Sequence, residues 1–350
     1  MKKSNIWVMA LIFLLLVLSW SLGCITQKET LYVPDDYSTI QSAVNAAING
    51  DTIIVRDGTY TENIKITKSL TIRSENGSAS TIVQPLNKSD NVFKITGDYV
   101  KIIGFTIEGV LIWGSGIYLY YTNNSEISNN IISKNYCGIE LYSTNNNIIE
   151  NNNISDHKWY GIELSSSNKN IIKNNNISKN GNNGIYLWYS STNKIYLNNF
   201  IKNTDNVFSY NSYNLWNSTE KIAYTYNSNN YTNYLGNYWS DYTGTDADKD
   251  GIGNTPYRNL DNYPLMVPFE NYLKEKAEKG DFNGNGRVDI GDVTYVAYMV
   301  VVKFQLIWMQ TLMSRVRVDI GDAAKIAYYL VGKIDSFFIY IPLNLNSPEL

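Results

Sequence analysis

Between residues 116 and 206 the apolar side chains come in alternating pairs, Ile139 with Leu141 and Ile162 with Leu164, which is the period of a strand rather than of a helix. Each pair belongs to a phrase that recurs. It reads Gly-Ile-Tyr-Leu at 116, Gly-Ile-Glu-Leu at 138 and 161, and Gly-Ile-Tyr-Leu at 184, in steps of 22, 23 and 23 residues. A unit of this length is too short for a strand-helix pair and too β-rich for a helical repeat, so it predicts stacked coils of two or three short strands. Polar columns keep the same step. Asn124, Asn147, Asn170 and Asn193 form one; Asn130, Asn153, Asn176 and Asn199 form another, followed by Ile131, Ile154, Ile177 and Phe200. Parallel coils set equivalent residues about 4.8 Å apart, so this second column predicts a buried ladder of amides within one solenoid over residues 33–245. Asn also tolerates the left-handed backbone that tight corners need. Disorder would account for the abundance of Asn, but not for constant spacing with an apolar residue after each.

Ahead of the repeat, residues 38–48 predict a short amphipathic helix, with Ser38 and Gln41 as a capping box and Ile40, Val44 and Ala47 on one face. Such a helix suits the open apolar end of a first coil. Residues 50–55 read as the first strand, and Ile64–Ile66, Leu70–Ile72, Val92–Ile95 and Val100–Ile107 as those that follow.

These repeats resemble the right-handed parallel β-helix proteins of the pectin-lyase-like group. Within that group they look most like the NosD type, named for a family associated with copper-site maturation of nitrous oxide reductase and abundant in archaeal surface proteins. The resemblance covers residues 32–270 and implies an all-β, right-handed parallel β-helix of ~23-residue coils with an N-terminal capping helix. Its most specific part is the stretch 233–269, which runs from Asn233-Tyr234-Leu235-Gly236-Asn237-Tyr238-Trp239 to Tyr263-Pro264-Leu265-Met266-Val267-Pro268-Phe269 and resembles the closing segment of archaeal members. Inside it, Asp246, Asp248 and Asp250 before Gly251 have the alternate-oxygen spacing of a calcium loop, with Ile252 placed to add a carbonyl. No acid stands twelve along, where Tyr257 is. Copper handling would want clustered His, Met or Cys, and the β-helix offers His157, Cys137 and Met266. No arginine lies between Arg73 and Arg258, which removes the arginine base of pectate-lyase-like elimination.

The ends have their own character. Residues 1–24 carry Lys2, Lys3, an apolar run from Ile6 to Leu18 and then Ser21-Leu22-Gly23-Cys24, a signal peptide with a lipoprotein-like site or an uncleaved anchor. Either way the remainder is exported, and the membrane is met only through this segment. Residues 271–280 read as a charged linker. In 281–334, Asp281, Asn283, Asn285, Asp289 and Asp292 fall at positions 1, 3, 5, 9 and 12 of a calcium loop, with Gly286 at 6 and Arg287 at the carbonyl position. Asp319 to Asp322 repeat the half-loop 30 residues on. This pattern resembles a dockerin type I module and implies a cohesin-bearing partner and Ca²⁺. The second loop is disrupted, because Thr311, Met313 and Arg315 hold its ligand positions. Read two bases later over residues 304–316, a permitted choice of codons gives an Asp-Val-Asn there, as a shifted reading frame would. Residues 335–350 are a tail.

Composition narrows the function classes. Net charge is −3, from 29 basic and 32 acidic residues, so nothing in the balance calls for nucleic acid. Seven Asn-x-Ser/Thr sequons begin at Asn76, Asn87, Asn123, Asn153, Asn176, Asn217 and Asn230; as ladder members, Asn153 and Asn176 are expected to stay unmodified. With Ile139, Leu141, Ile162 and Leu164 inward, Glu140 and Glu163 share an outward column, flanked by Tyr118 and Tyr186. Tyr120, Tyr142, Ser165 and Trp188 make the next. Rings suit the apolar faces of sugars, and close carboxyls push one another's pKa upward. His157 reads as an exposed polar turn residue. The chain therefore reads as an exported, cell-surface β-helix that binds polysaccharide or glycan and assembles through its dockerin. The alternatives are a glycoside hydrolase or polysaccharide lyase with Glu140 and Glu163 as its acid pair, a structural surface-layer protein, and a copper-related accessory protein.

Overall fold

The computed structural model describes residues 28–272. The expectations for residues 1–24 and 281–350, the anchor and the dockerin-like module with its Asp281 to Asp292 loop, lie outside the described residues. Among the described residues no helix is long and apolar enough to cross a membrane.

The chain winds as a parallel solenoid whose coils each give one strand to three sheets, two of them eight strands deep and one seven. The seven-stranded sheet carries the candidate face: Ile64–Ile66, Phe93–Ile95, Ser115–Tyr120, Cys137–Tyr142, Ile162–Ser165, Asn183–Trp188 and Asp205–Tyr210. Successive strands pair in register, so Ile117, Ile139, Ile162, Ile185 and Val207 form one inward row, and Leu119, Leu141, Leu164 and Leu187 a second. The Ile and Leu rows are fully buried. The segment expected as one strand from Val100 to Ile107 is instead two, Lys101–Ile103 and Thr106–Glu108, in different sheets. Gly104 turns the corner between them at a φ of 77°, where a side chain would be strained.

The glycine that opens each repeated phrase is set by the coil above it. A Cβ on Gly161 would stand 2.6 Å from Gly184 O and 2.8 Å from Asn180 Nδ2, and one on Gly138 would overlap Gly161 O. The four glycines stack where adjacent backbones leave no room for a methyl group.

The amide ladder exists, one residue away from the expected register. Asn130 belongs to it, but its rungs continue through Asn152, Asn175, Asn198 and Asn237. Each Oδ1 accepts the backbone N–H and the side-chain amide of the rung before it, as Asn175 does for Asn152 at 3.0 and 3.1 Å. Asn153, Asn176 and Asn199 instead form an outward row on their strands, opposite Ile131. Asn199 is buried where the segment at 269–270 covers it, with Glu270 taking its amide hydrogens and the Phe269 N–H donating to its Oδ1. The sequons at Asn153 and Asn176 therefore face outward, and the ladder gives no reason for them to stay unmodified. A second ladder runs from Ser125 through Asn147, Asn170 and Asn193 to Asn214. Corners beside the ladders hold left-handed residues, among them Asn124, Asn146, Lys169 and Thr192.

His157 is a rung, not a surface turn. It is 2 % exposed, its Nδ1 accepts the N–H of Asn135, and its own N–H bonds Asn180 Oδ1. Its Nε2 has no hydrogen-bond partner. Burial pulls its pKa down to about 4 from 6.5, so between these values the unfolded chain holds the extra proton. The stability His157 contributes is thus full above pH 6.5 and is lost as pH falls towards 4. His157→Asn is expected to erase that dependence, gaining on the wild type by on the order of 3 kcal/mol between pH 7 and pH 4. Asp261 titrates in both proteins and cancels. Urea denaturation at the two pH values reads the difference; an unchanged gap would reject the assignment.

Both ends are closed. Helix α1, Ile40–Ala46, buries Ile40, Ala43 and Val44 in the same apolar cluster as Ile53 and Leu70. Its capping box is Thr39 with Ser42, one residue beyond the expected Ser38 with Gln41, and Glu62 accepts the N–H groups of Ile40 and Gln41 at 2.9 Å each. At the other end Trp239 stacks on Phe200 at 4.4 Å and on Tyr257 at 4.2 Å. Its indole N–H and the Asn237 amide both donate to buried Asp261. The last coil therefore meets rings and a carboxylate instead of water.

Candidate functional site

The outward side chains of the seven-stranded sheet line up as expected. One column reads Lys65, Lys94, Tyr118, Glu140, Glu163, Tyr186, Phe208. The next reads Tyr120, Tyr142, Ser165, Trp188, Tyr210. All five expected ring residues and both carboxylates thus share one face.

How the rings meet matters more than their number. Tyr120 and Tyr142 stack at 5.6 Å, and Trp188 and Tyr210 at 4.5 Å, so each covers one face of its neighbour. Between these two stacks stands Ser165, paired with Tyr142 on one side and Trp188 on the other. The corner next to it repeats the pattern, with Ser143 and Ser166 between exposed Tyr121 and Tyr189. Two coil steps, about 9.6 Å, therefore separate the free faces of Tyr142 and Trp188. The result is a slot with an aromatic wall at each end and serines for a floor.

Beside the slot lies a cleft of about 340 Å³ holding Glu140 and Glu163. Its walls are Trp113, Tyr136, Trp159 and Tyr160, with Ser115 and Cys137 between. Trp159 stacks on Tyr136 at 6.3 Å, and Tyr160 on Tyr186 at 4.5 Å. Burial, and then the charge of Glu140, push Glu163 up to about 7. Burial also raises Glu140, opposed by a 3.0 Å hydrogen bond from the Ser115 hydroxyl. Near neutral pH Glu163 is thus about half protonated. The cleft walls were missed in the sequence, although Trp113, Tyr136 and Trp159 lie 23 apart and so carried the signal of the repeat.

Asp246, Asp248 and Asp250 also come together, with one oxygen of each within 4.8 Å of the others. Asp246 accepts the N–H groups of Asp250 and Gly251 at 3.1 and 2.9 Å, the loop geometry their spacing implied. Tyr257, in the twelfth place, is buried against Trp239 and donates to Asp241.

Residues 25–244 match the family described as "Periplasmic copper-binding protein (NosD)". A cell surface glycoprotein of Methanothermus fervidus is 35 % identical over 136 residues, which is 38 % of this chain and 22 % of that protein. The chain thus spans about a fifth of that curated relative's length. Among solved structures, the alginate lyase of Paenibacillus sp. str. FPU-7 is 19 % identical with a TM-score of 0.37, over 49 % of this chain and 67 % of that one. The catalytic domain of a GH87 alpha-1,3-glucanase in complex with nigerose is 18 % identical with a TM-score of 0.43, over 53 % and 39 %.

The copper in the family description finds no fitting donor set among the described residues. His157 is a buried rung whose Nδ1 is engaged, and burial pushes the Cys137 thiol up to about 12. The one group of three or more acidic, His or Cys donors there is the Asp triad, a hard oxygen set suited to calcium or magnesium.

Proposed function

The chain belongs to the NosD family of parallel β-helix proteins, and from that premise we propose that its seven-stranded sheet binds polysaccharide or glycan at the cell surface. The observation that carries this reading is the slot at Ser165. A pyranose lying between Tyr142 and Trp188 would have a ring about 4.8 Å from each of its apolar faces. Elsewhere in this column the rings cover one another, so the slot is where its stacking faces are free.

The test fills the slot. Ser165→Tyr completes the column from Tyr120 to Tyr210 and is expected to leave the fold intact while abolishing binding. Trp188→Ala is expected to weaken binding about tenfold, the upper end of what one ring contact contributes. Tryptophan fluorescence and calorimetry against neutral and acidic polysaccharides read both. If no polysaccharide binds the unaltered chain, a purely structural surface role takes its place.

The Glu140 and Glu163 pair also supports a glycoside hydrolase, since carboxyls on adjacent strands, one of them raised to about 7, suit acid catalysis with a second carboxylate. New reducing ends from a bound glycan, lost in Glu163→Gln, would decide for it. We infer further that the Asp246, Asp248 and Asp250 loop takes Ca²⁺. The cohesin-bearing partner implied for residues 281–334 remains part of the proposal as the means of assembly.

A further inference from the structure

Outward carboxylates on the other two sheets have basic partners across the strands: Glu126 pairs with Lys101 at 2.6 Å, Glu150 with Lys173 at 3.0 Å, and Glu108 with Lys134 at 3.4 Å. Glu140 and Glu163 differ. They stand next to each other, and none of the ion pairs among the described residues includes either. Lys94 and Lys158, two basic groups near this face, lie by rings instead. Lys94 Nζ lies 5.8 Å from the Tyr118 centroid and 5.6 Å from that of Tyr120, and Lys158 Nζ lies 5.7 Å from that of Tyr136.

The cleft thus gathers two acids that belong to no ion pair among the described residues and lines them with four aromatic rings. A hard metal ion would want six to eight oxygens, and Trp113, Tyr136, Trp159 and Tyr160 offer aromatic surface and few oxygens. An organic ammonium is attracted by both features, since rings favour a cation over their faces and carboxylates neutralise it. We propose that the cleft binds the primary ammonium of an amino sugar, presented by a glycan whose ring occupies the adjoining slot. This rests on the glycan reading above. Glu163 and Ser165 lie on one strand two residues apart, about 7 Å along it, so a single oligosaccharide reaches both.

Calorimetry on the full chain should compare a fully deacetylated glucosamine tetramer with its N-acetylated counterpart at low and high salt. The deacetylated tetramer is expected to bind at least tenfold more tightly, and salt to erode that preference. Glu163→Gln is expected to bring the two ligands within twofold of each other, and Glu140→Gln gives the same readout should the first variant fail to fold. If both tetramers bind the unaltered chain equally, the amine site is wrong and the glycan reading stands. A Glu163→Gln loss that is equal for both ligands also overturns it. If neither tetramer nor any other sugar binds, both readings fall together.

Discussion

Asn152→Ala is expected to destabilise the solenoid by roughly 4–6 kcal/mol, summed over buried groups that each cost about 1–3 kcal/mol when left unpaired. Asn152 Oδ1 accepts the N–H and the side-chain amide of Asn130, and its own amide donates to Ile127 O, Glu150 O and Asn175 Oδ1, all within 3.1 Å. Alanine removes every one of these contacts, and water cannot enter to replace them because the rung is 2 % exposed. Asn153→Ala, one residue along, is the control. Its side chain faces solvent on its strand, so its loss should stay within about 0.5 kcal/mol. Chemical denaturation of the two variants settles the register: equal losses, or a larger loss at Asn153, would mean that the rungs are misassigned.

Gly161→Ala is the second large effect. The added methyl group has backbone on one side, Gly184 O at 2.6 Å, with Asn180 Nδ2 and Ile177 Cγ2 at 2.8 Å. A carbonyl in a parallel ladder has no rotamer by which to retreat, so two coils must part. Overpacking of this kind costs about 3 kcal/mol, and here it also breaks strand pairing beside Glu163. A denaturation midpoint unchanged from the wild type would show that the glycine stack is incidental.

The two predictions also mark what the sequence could and could not disclose. The stacking of coils was legible because the Gly-Ile-x-Leu phrase ties a steric demand to an alternating apolar pair, and both recur at one step. The rung register was not. Asn151, Asn152 and Asn153 stand in a row, as do Asn174, Asn175 and Asn176, so residue identity cannot say which one turns inward. The coil that begins at Gly116 is 22 residues long, whereas a step of 23 was carried across it from Asn130. That single residue moves Asn153 from the core to the surface, since alternate strand positions face opposite ways. His157 was misread for a related reason: a histidine between Asp156 and Lys158 looks like a surface turn residue until the coil places its Nδ1 where an amide oxygen belongs.

At the candidate site the columns themselves were readable, and their meaning was not. A list of outward rings suggests a flat sugar-binding platform, yet rings on adjacent parallel strands stack on one another and hide the faces a sugar would use. What remains accessible is where the column is interrupted. Ser165 looked like the weakest member of its column, and in the structure it is the one that leaves room. Trp113, Tyr136 and Trp159 went unnoticed because they sit in turns before the repeated phrase, outside the strands where alternation assigns sides.

The rungs have a consequence for how such a chain can change. Every coil in the regular part offers its neighbours on either side the same amides in the same places, so the ladder has no preferred length. A tandem duplication of one coil's worth of coding sequence, cut at any point of the turn, would slide between two existing coils and find compatible partners above and below. Only α1 at one end, and Trp239 with Asp261 at the other, must be kept once each. Such a molecule can grow taller in increments of a single rung, each about 4.8 Å, without any change to the core.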